Sequence, residues 1–337
     1  MKKNLLILFL LVSKLIFCQE QFNNEKDLDN ISDYYLTEVQ TEIDDKVTIF
    51  GTLLTPKPEF NKIVVIVSGT GKISQKAHNY LTEFLLENNI GVFRFDKRGV
   101  GKSTGAYDDR PKTYTTDFIQ IYSKLKTLEL IKNKSIGFLG HSLGGLVTIQ
   151  AIENLVIPDF LIQWSAPIGK PRELAKYQVK NGIKNYDKYI ISNSIEEKIQ
   201  ILDFVHDVID ANIDLNTWDI WKTLLKEARK KGFRRNQFKN YISNYFVEFA
   251  KIDNTEIYKN IDIPTLVIIG KEDILVDPIQ SKVELVKIGN PNIEFKAIDE
   301  LGHFMTDNST DQKTNEIYDV DFLFKQYLVN WINELNK

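Results

Sequence analysis

The chain has 337 residues, of which 43% are hydrophobic, so it is long enough to bury one large core or two modest ones. Its formal net charge of −3 gives no reason to expect nucleic acid as a partner. With a single cysteine and four widely separated histidines, the composition also excludes a disulfide framework and the usual spacings of metal ligands.

The first 18 residues have the layout of a secretory signal peptide. Lys2 and Lys3 form a positive start, the stretch LLILFLLVSKLIFC at 5–18 is apolar apart from Lys14, and a polar run follows. We predict cleavage after Cys18, which leaves 40 basic and 46 acidic residues, a formal charge of −6 and no cysteine. The mature protein is then periplasmic or secreted, and no later apolar stretch suits a stable membrane span. The alternative is a lipoprotein anchored through Cys18.

Strands and helices alternate over the first half of the chain. Two β-like segments at 34–42 and 46–55 are predicted to form an antiparallel pair. Apolar runs rich in β-branched residues then predict strands at 63–69, 91–95, 135–140 and 160–166, with helices at about 75–87, about 114–131 and from Leu143. This alternation implies an α/β fold with a mostly parallel, twisted sheet, antiparallel N-terminal strands and helices on both faces.

The pattern changes after Pro171. No proline occurs between Pro171 and Ile263, and only Gly182 and Gly232 interrupt a run rich in Lys, Asn, Ile and aromatic residues, which predicts a helical insertion. The α/β pattern then resumes with a strand at 263–270, a helix at 278–288, a strand at 292–298 and a final helix at 320–335.

The stretch FDKRGVGKST at 95–104 contains Gly-Lys-Ser and resembles a phosphate-binding loop at first sight. Such a loop needs a glycine five positions before the glycine of Gly-Lys-Ser, and Gly101 has the acidic Asp96 there. We therefore expect no nucleotide as partner. Asp96 and Arg98 are expected to hold this loop together, while its glycines allow a tight reversal.

A stronger motif is SIGFLGHSLGG at 135–145. A predicted strand ends at Gly140, Gly-x-Ser-x-Gly runs from there through Ser142 to Gly144, and a helix begins at once. This order of strand, turn and helix is typical of a nucleophile elbow, in which a strained turn exposes the serine hydroxyl. The glycines permit the close backbone approach that such a turn requires. Ser142 is therefore the predicted nucleophile.

A serine nucleophile needs a histidine base. Three of the four histidines have positions that suit other roles. His141 lies beside the nucleophile, His78 at the start of a predicted helix and His206 within the helical insertion. The remaining one, His303, follows the last predicted strand and is the predicted base.

The base needs an acid that orients it. Asp273 follows the strand that ends at Gly270, and open α/β sheets place their sites at the carboxyl edge of the strands, so Asp273 is the predicted acid. Asp277 is the alternative, although it directly precedes Pro278 and suits the N-cap of the next helix.

Two backbone amides are expected to bind the oxyanion. One belongs to Leu143, the residue after the nucleophile, and the other to the loop that follows the strand at 63–69. The sequence SGTG at 68–71 occupies that loop, and we assign the second donor to the Thr70 amide, with Gly69 and Gly71 letting the backbone approach.

The assembled pattern resembles the α/β-hydrolase superfamily over nearly the whole chain after the signal peptide. More narrowly, it is similar to bacterial esterases and serine-aminopeptidase-like (S33-type) hydrolases in which SGTG replaces His-Gly-Gly, FDKRGVGKST follows the next strand and GHSLGG forms the elbow. The resemblance implies a core at 19–167 and 257–337, with a helical cap, or lid, at 168–256. Seven aromatic residues of that segment are candidates for its own core or for pocket walls: Trp218, Trp221, Phe233, Phe238, Tyr241, Tyr245 and Phe246.

These residues predict an exported serine hydrolase that cleaves carboxylic esters of small or medium acyl groups through an acyl-enzyme, with no metal or organic cofactor required. The same triad would serve a peptidase, an aminopeptidase or an amidase, and an aminopeptidase would place lid acids near the substrate α-amino group. A catalytically silent hydrolase fold used for binding is the alternative of another class. The expected partner is a small-molecule ester or peptide, and neither nucleic acid nor nucleotide.

Overall fold

The structure, a computed structural model, describes residues 27–57, 59–307 and 319–335. The predicted signal peptide at 1–18, with its cleavage site after Cys18, lies outside the described residues. Within those ranges, no helix is both long enough and apolar enough to cross a membrane.

One eight-stranded sheet organises the described part of the chain. Its strands are β1 (Tyr34–Asp44), β2 (Val47–Pro56), β3 (Lys62–Val67), β4 (Ile90–Phe95), β5 (Ser135–His141), β6 (Phe160–Trp164), β7 (Thr265–Gly270) and β8 (Ile293–Ile298). Their spatial order is β1-β2-β4-β3-β5-β6-β7-β8. β2 pairs antiparallel with β1 and β4, and every other neighbouring pair is parallel. The predicted fold class is therefore confirmed.

Alternation along the central strands sends side chains into two separate cores. Ile63, Val65 and Val67 of β3 point into one core, whereas Val64 and Ile66 point into the other, because successive strand residues face opposite sides. Strands that are apolar on both faces need cover on both faces, which the helices supply.

Helices cover the two faces as the sequence predicts. In chain order, the helices that cover the sheet are α1 (Asn79–Glu87), α2 (Pro111–Leu125), α3 (Leu143–Glu153), α9 (Thr255–Asn260), α10 (Pro278–Ile288) and α11 (Phe322–Glu334). Phe118 of α2, Leu146 of α3 and Tyr258 of α9 join one core. Leu81 of α1 and Phe324 of α11 join the other.

Two helices differ from their predicted bounds by three residues or more. The helix expected from residue 75 begins at Asn79, because Gln75 is instead held by Asp96 through its backbone amide and its side chain, at 2.8 and 3.1 Å. The helix expected at 114–131 begins at Pro111, whose fixed φ suits a first turn, and a separate 3₁₀ turn at Glu129–Ile131 follows it.

Between β6 and α9, the chain forms a group of helices with a core of their own. They are α4 (Arg172–Lys180), α5 (Ile195–Asp210), α6 (Thr217–Lys231), α7 (Arg235–Phe238) and α8 (Asn244–Lys251), and a 3₁₀ turn at Lys184–Lys188 lies between α4 and α5. Their buried apolar side chains form a third cluster that includes Val205, Leu224 and Phe238. Side-chain N-caps start α5, α6 and α8, at Ser194, Asn216 and Ser243.

The sheet brings distant loops to one edge. Val67 at the end of β3 lies opposite Gly140 of β5, and Gly270 at the end of β7 lies opposite Ile298 of β8. Parallel strands end at the same edge, so the loops that follow β3, β5, β7 and β8 meet there. The predicted nucleophile, acid, base and oxyanion donors all lie on these loops, or on the helix that begins directly after β5.

Candidate active site

Ser142 lies on the turn between β5 and α3 with φ of +54° and ψ of −118°, a conformation that is rare for residues other than glycine. A side chain at Gly140 would come within 2.6 Å of the Gly144 carbonyl oxygen, and one at Gly144 within 2.0 Å of the Val67 oxygen. Both glycines are therefore required by close backbone approach. The Ser142 amide donates to the carbonyl of Trp164 at 2.9 Å, which anchors the turn to β6.

Leu143 is the first residue of α3, so its amide is one of the N-terminal groups that have no partner within the helix. The partial positive charge of the helix start lies beside it. Thr70, the other predicted donor, lies in the loop after β3, and it lines the same cavity as Ser142 and Leu143.

His303 and Asp273 are joined by a hydrogen bond. His303 Nδ1 lies 2.9 Å from Asp273 Oδ2, and both side chains are almost fully buried. The other carboxylate oxygen of Asp273 accepts the amides of Leu275 and Val276, at 2.7 and 2.8 Å. The carboxylate is therefore fixed by its own loop while it holds the imidazole.

Asp277, the alternative acid, has a different role. Its carboxylate accepts the amides of Ile279 and Gln280 at 2.9 and 3.0 Å and so caps the N-terminus of α10. Of the two acids that the sequence left open, the structure places Asp273 at the histidine.

His303 and Ser142 line one cavity, but no hydrogen bond joins their side chains among the interactions of the described residues. Catalytic hydrogen bonds are often long in a site that holds no substrate, and they tighten as the substrate binds. The arrangement brings the predicted nucleophile and base to the same space, with Asp273 behind the base.

The other histidines are buried and neutral. The ring of His141 stacks on Trp164 with centroids 4.2 Å apart, and burial holds the pKa of His141 well below its usual range. Burial also lowers the pKa of His78 to about 3. His206 lies within the helical segment, 2.9 Å from the hydroxyl of Tyr241, and burial lowers its pKa to about 3. None of these three contacts Asp273 through a hydrogen bond in the described structure.

The cavity at this edge has a volume of about 620 Å³. One wall comes from the sheet edge, and the opposite wall comes from the helical segment. Aromatic rings make up much of the lining: Tyr186, Tyr189, Tyr245, Phe246, Phe249 and Phe304. Among the described residues that line it, none is Asp or Glu, and the one lysine is Lys188. The space therefore suits an uncharged, largely apolar group better than a cation.

The helical segment is tied to the loop that carries Asp273. Two side chains of α4 and the side chain of the residue that follows it donate hydrogen bonds to three successive backbone carbonyls of this loop. They are the Tyr177 hydroxyl to Asp273, the Asn181 amide to Ile274 and the Gln178 amide to Leu275, at 2.8, 3.1 and 3.0 Å. We did not identify these positions from the sequence, because no local pattern connects residues about 96 positions apart.

Asp96 and Arg98 hold the loop FDKRGVGKST in place, as predicted. The Asp96 carboxylate accepts the backbone amides of Gln75 and Lys102 at 2.8 and 2.9 Å, and Arg98 pairs with Asp117. Lys97, which lies between them, was not singled out in the sequence, yet its ammonium donates to the carbonyls of the loop that carries Thr70. The feature that could have identified Lys97 is its position as an ionisable residue just after the fully buried strand β4.

Comparison with known proteins agrees with this fold. A family model described as serine aminopeptidase, S33, matches residues 58–310 of the 337. A Mycoplasma genitalium protein named as a candidate esterase/lipase is 26% identical over 309 residues, which covers 87% of this chain and 97% of that one.

Solved structures show the same architecture. An esterase from Pyrococcus furiosus superposes with a TM-score of 0.56 at 19% identity, covering 92% of this chain and 94% of that chain. A bromoperoxidase from Bacillus anthracis gives 0.53 at 17% identity, covering 88% of this chain and 100% of that chain. These structures agree in fold with the family match, which covers most of the chain: the protein belongs to the serine aminopeptidase S33 family of α/β-hydrolases and is an enzyme of the hydrolase class.

Proposed function

We propose that this protein is an exported serine hydrolase that cleaves carboxylic esters through an acyl-enzyme. The observation that carries the proposal is the 2.9 Å contact between His303 and Asp273 beside a cavity that Ser142, Leu143 and Thr70 also line. Export rests on the signal-peptide layout of residues 1–18.

In the proposed mechanism, His303 Nε2 takes the proton of the Ser142 hydroxyl as its oxygen attacks the ester carbonyl. The tetrahedral oxyanion accepts hydrogen bonds from the Leu143 and Thr70 amides. His303 then gives the proton to the departing alcohol, which leaves an acyl group on Ser142. Water then attacks the acyl carbon as His303 takes its proton, and His303 returns that proton to Ser142 Oγ as the acyl–oxygen bond breaks and the acid leaves. Asp273 keeps the imidazole in the required tautomer throughout.

We assign the segment 168–256 as a lid that selects the substrate. Its aromatic side chains form the wall opposite Ser142, and Tyr177, Gln178 and Asn181 tie it to the loop of Asp273. A lid in this place excludes water from the reacting carbonyl, which strengthens electrostatic stabilisation in the site.

The lining of the cavity favours ester cleavage over aminopeptidase action. An aminopeptidase must bind an α-ammonium group, and a buried cation without a partner is strongly disfavoured. The described residues that line this cavity supply no carboxylate for it. An ester with a neutral, apolar acyl group needs no such partner.

A panel of substrates tests this preference. We expect p-nitrophenyl esters to give kcat/KM at least about 100-fold above leucine p-nitroanilide, because an unpaired ammonium costs a few kcal/mol. Within the ester series, kcat/KM should rise from acetate to medium chains, since each buried CH₂ contributes about 0.8 kcal/mol, and then fall when the chain outgrows the cavity. The Ser142→Ala preparation gives the background rate for each substrate. Cleavage of the anilide as fast as the best ester would favour the peptidase alternative instead.

A further inference from the structure

Lys97 lies behind the loop of Thr70, and no step of the proposed mechanism uses it. It is only 2% exposed. Its ammonium donates hydrogen bonds to the carbonyl oxygens of Gly69 and Gly71, the second at 3.1 Å. Asp109 Oδ2 lies 3.9 Å from Lys97 Nζ, and the centre of the Tyr114 ring lies 4.6 Å from it. This cation is therefore enclosed among loop carbonyls, one carboxylate and one aromatic face.

The bond to Gly69 determines where the next amide points. In a trans peptide, the carbonyl and the N–H of the same plane point in opposite directions. Since the Gly69 oxygen faces Lys97, the Thr70 N–H faces away from Lys97, and Thr70 lines the cavity. A side chain added at Gly69 would come within 3.3 Å of Ser142 Cβ, so this peptide lies directly beside the proposed nucleophile.

Two other groups anchor the same loop. Gly71 donates its amide to Asp109 at 2.9 Å, and the Tyr114 hydroxyl donates to the Ser68 carbonyl at 3.2 Å. Gly71 has φ of +112°, a conformation that favours glycine. Lys97 differs from these anchors because it brings a positive charge, and charge-assisted hydrogen bonds are about twice as strong as neutral ones.

We propose that Lys97 is a positioning residue for the oxyanion hole, which aligns the Gly69–Thr70 peptide so that the Thr70 amide faces the developing oxyanion. Its charge also polarises this peptide and favours the negative charge that forms on the other side of it. A donor held in advance needs no reorganisation during the reaction. The inference rests on the proposed function, since the oxyanion exists only if Ser142 attacks a carbonyl group.

The variant Lys97→Met tests this role, because methionine keeps an unbranched apolar stem and removes the charge and both hydrogen bonds. We expect kcat for the best ester to fall about 100-fold with KM changed less than about threefold. Affinity for a trifluoromethyl ketone, which forms an oxyanion on the nucleophile, should fall by the same factor. Affinity for the matching alcohol, which forms none, should stay unchanged. A merely structural role would weaken both ligands alike.

Lys102→Met is the matched control, because Lys102 lies on the same loop but is exposed and pairs with Glu38. It should retain wild-type kcat. A folded Lys97→Met chain with kcat within about threefold of wild type would overturn the inference while leaving the proposed function intact. A wild-type chain that hydrolyses no ester and binds no trifluoromethyl ketone would contradict the proposed function, and this inference with it.

The pH dependence of the wild-type chain offers a second readout. Burial lowers the pKa of Lys97 to about 8, and Asp109 partly opposes this shift. Of the other groups around the ammonium, His78 and His141 are neutral throughout because burial lowers their pKa, and burial raises the pKa of Tyr114 above its usual range. Lys97 is thus the member of this group that we expect to titrate in mildly alkaline solution.

As pH rises through about 8, Lys97 loses its charge but keeps two N–H donors. We therefore expect kcat to fall about three- to tenfold to a plateau rather than to zero. The alkaline decrease should be absent in Lys97→Met. A wild-type kcat that stays constant from about pH 7 to about pH 9.5 would contradict the role of the charge.

Discussion

Ser142→Ala is expected to lower kcat for ester hydrolysis by about 10⁴- to 10⁶-fold and to leave the fold intact. The hydroxyl is the proposed nucleophile, so its loss removes the acyl-enzyme route, and only substrate binding and the oxyanion donors remain. Alanine has the same Cβ in the same strained turn, and its amide can still donate to the Trp164 carbonyl. The measurement is the initial rate with a p-nitrophenyl ester, together with a thermal melt of both chains.

Ser123→Ala is a matched control for this change. Ser123 is an exposed residue of α2 whose hydroxyl donates to the Ile119 carbonyl at 2.7 Å, so its loss should leave kcat unchanged. If folded Ser142→Ala kept more than about one hundredth of the wild-type kcat, Ser142 would not be the nucleophile.

Asp273→Asn is expected to lower kcat about 10⁴-fold. The asparagine oxygen can still accept the amides of Leu275 and Val276, which turns its NH₂ group toward His303 Nδ1. Nδ1 must then accept a hydrogen bond, so the proton of the neutral ring lies on Nε2. That nitrogen can no longer take the proton of Ser142. The pH profile of kcat and a thermal melt would separate this effect from loss of folding.

Asp277→Asn distinguishes the two acids that the sequence left open. Asparagine is as good an N-cap as aspartate, so α10 should remain capped and kcat should stay close to the wild-type value. Near-normal activity in Asp273→Asn, combined with a large loss in Asp277→Asn, would reverse the assignment.

The sheet and the elbow could be predicted because their signals are local. The β-branched runs of β3 and β7 have to be buried on both faces, and the glycines around Ser142 are required by backbone contacts within the same few residues. His303 and Asp273 could be proposed as a pair because each follows a recognisable strand. Parallel strands then carry both residues to one edge.

The segment 168–256, which we propose to be a lid, shows the limit of prediction from local patterns. Tyr245 and Phe246 line the cavity, whereas Trp218 is 65% exposed and Phe238 and Tyr241 are buried in the segment's own cluster. Four of these residues lie in helices and Tyr241 lies in the turn between α7 and α8, and the direction in which each ring points depends on packing against neighbours far away in the sequence. Composition alone therefore predicts an aromatic segment without saying which rings reach the substrate.

Lys97 illustrates a second limit of predicting site residues from the sequence. A lysine is most often exposed, and only the fold places this one beneath the loop of Thr70. The nearby Gly-Lys-Ser sequence directs attention to Lys102, which is exposed and pairs with Glu38. The parallel pairing of β3 with β4 is what brings Lys97, just after β4, to the loop that follows β3.

Labelling with a fluorophosphonate tests the proposed nucleophile most directly. The reagent forms a covalent bond with an activated serine, and mass spectrometry of the digested protein locates the adduct. We expect one adduct on the wild-type chain, in the peptide that contains Ser142, and none on Ser142→Ala. Prior incubation with a trifluoromethyl ketone should block it. Absence of an adduct on the folded wild-type chain, or an adduct at a different serine, would contradict the assignment of Ser142 as nucleophile.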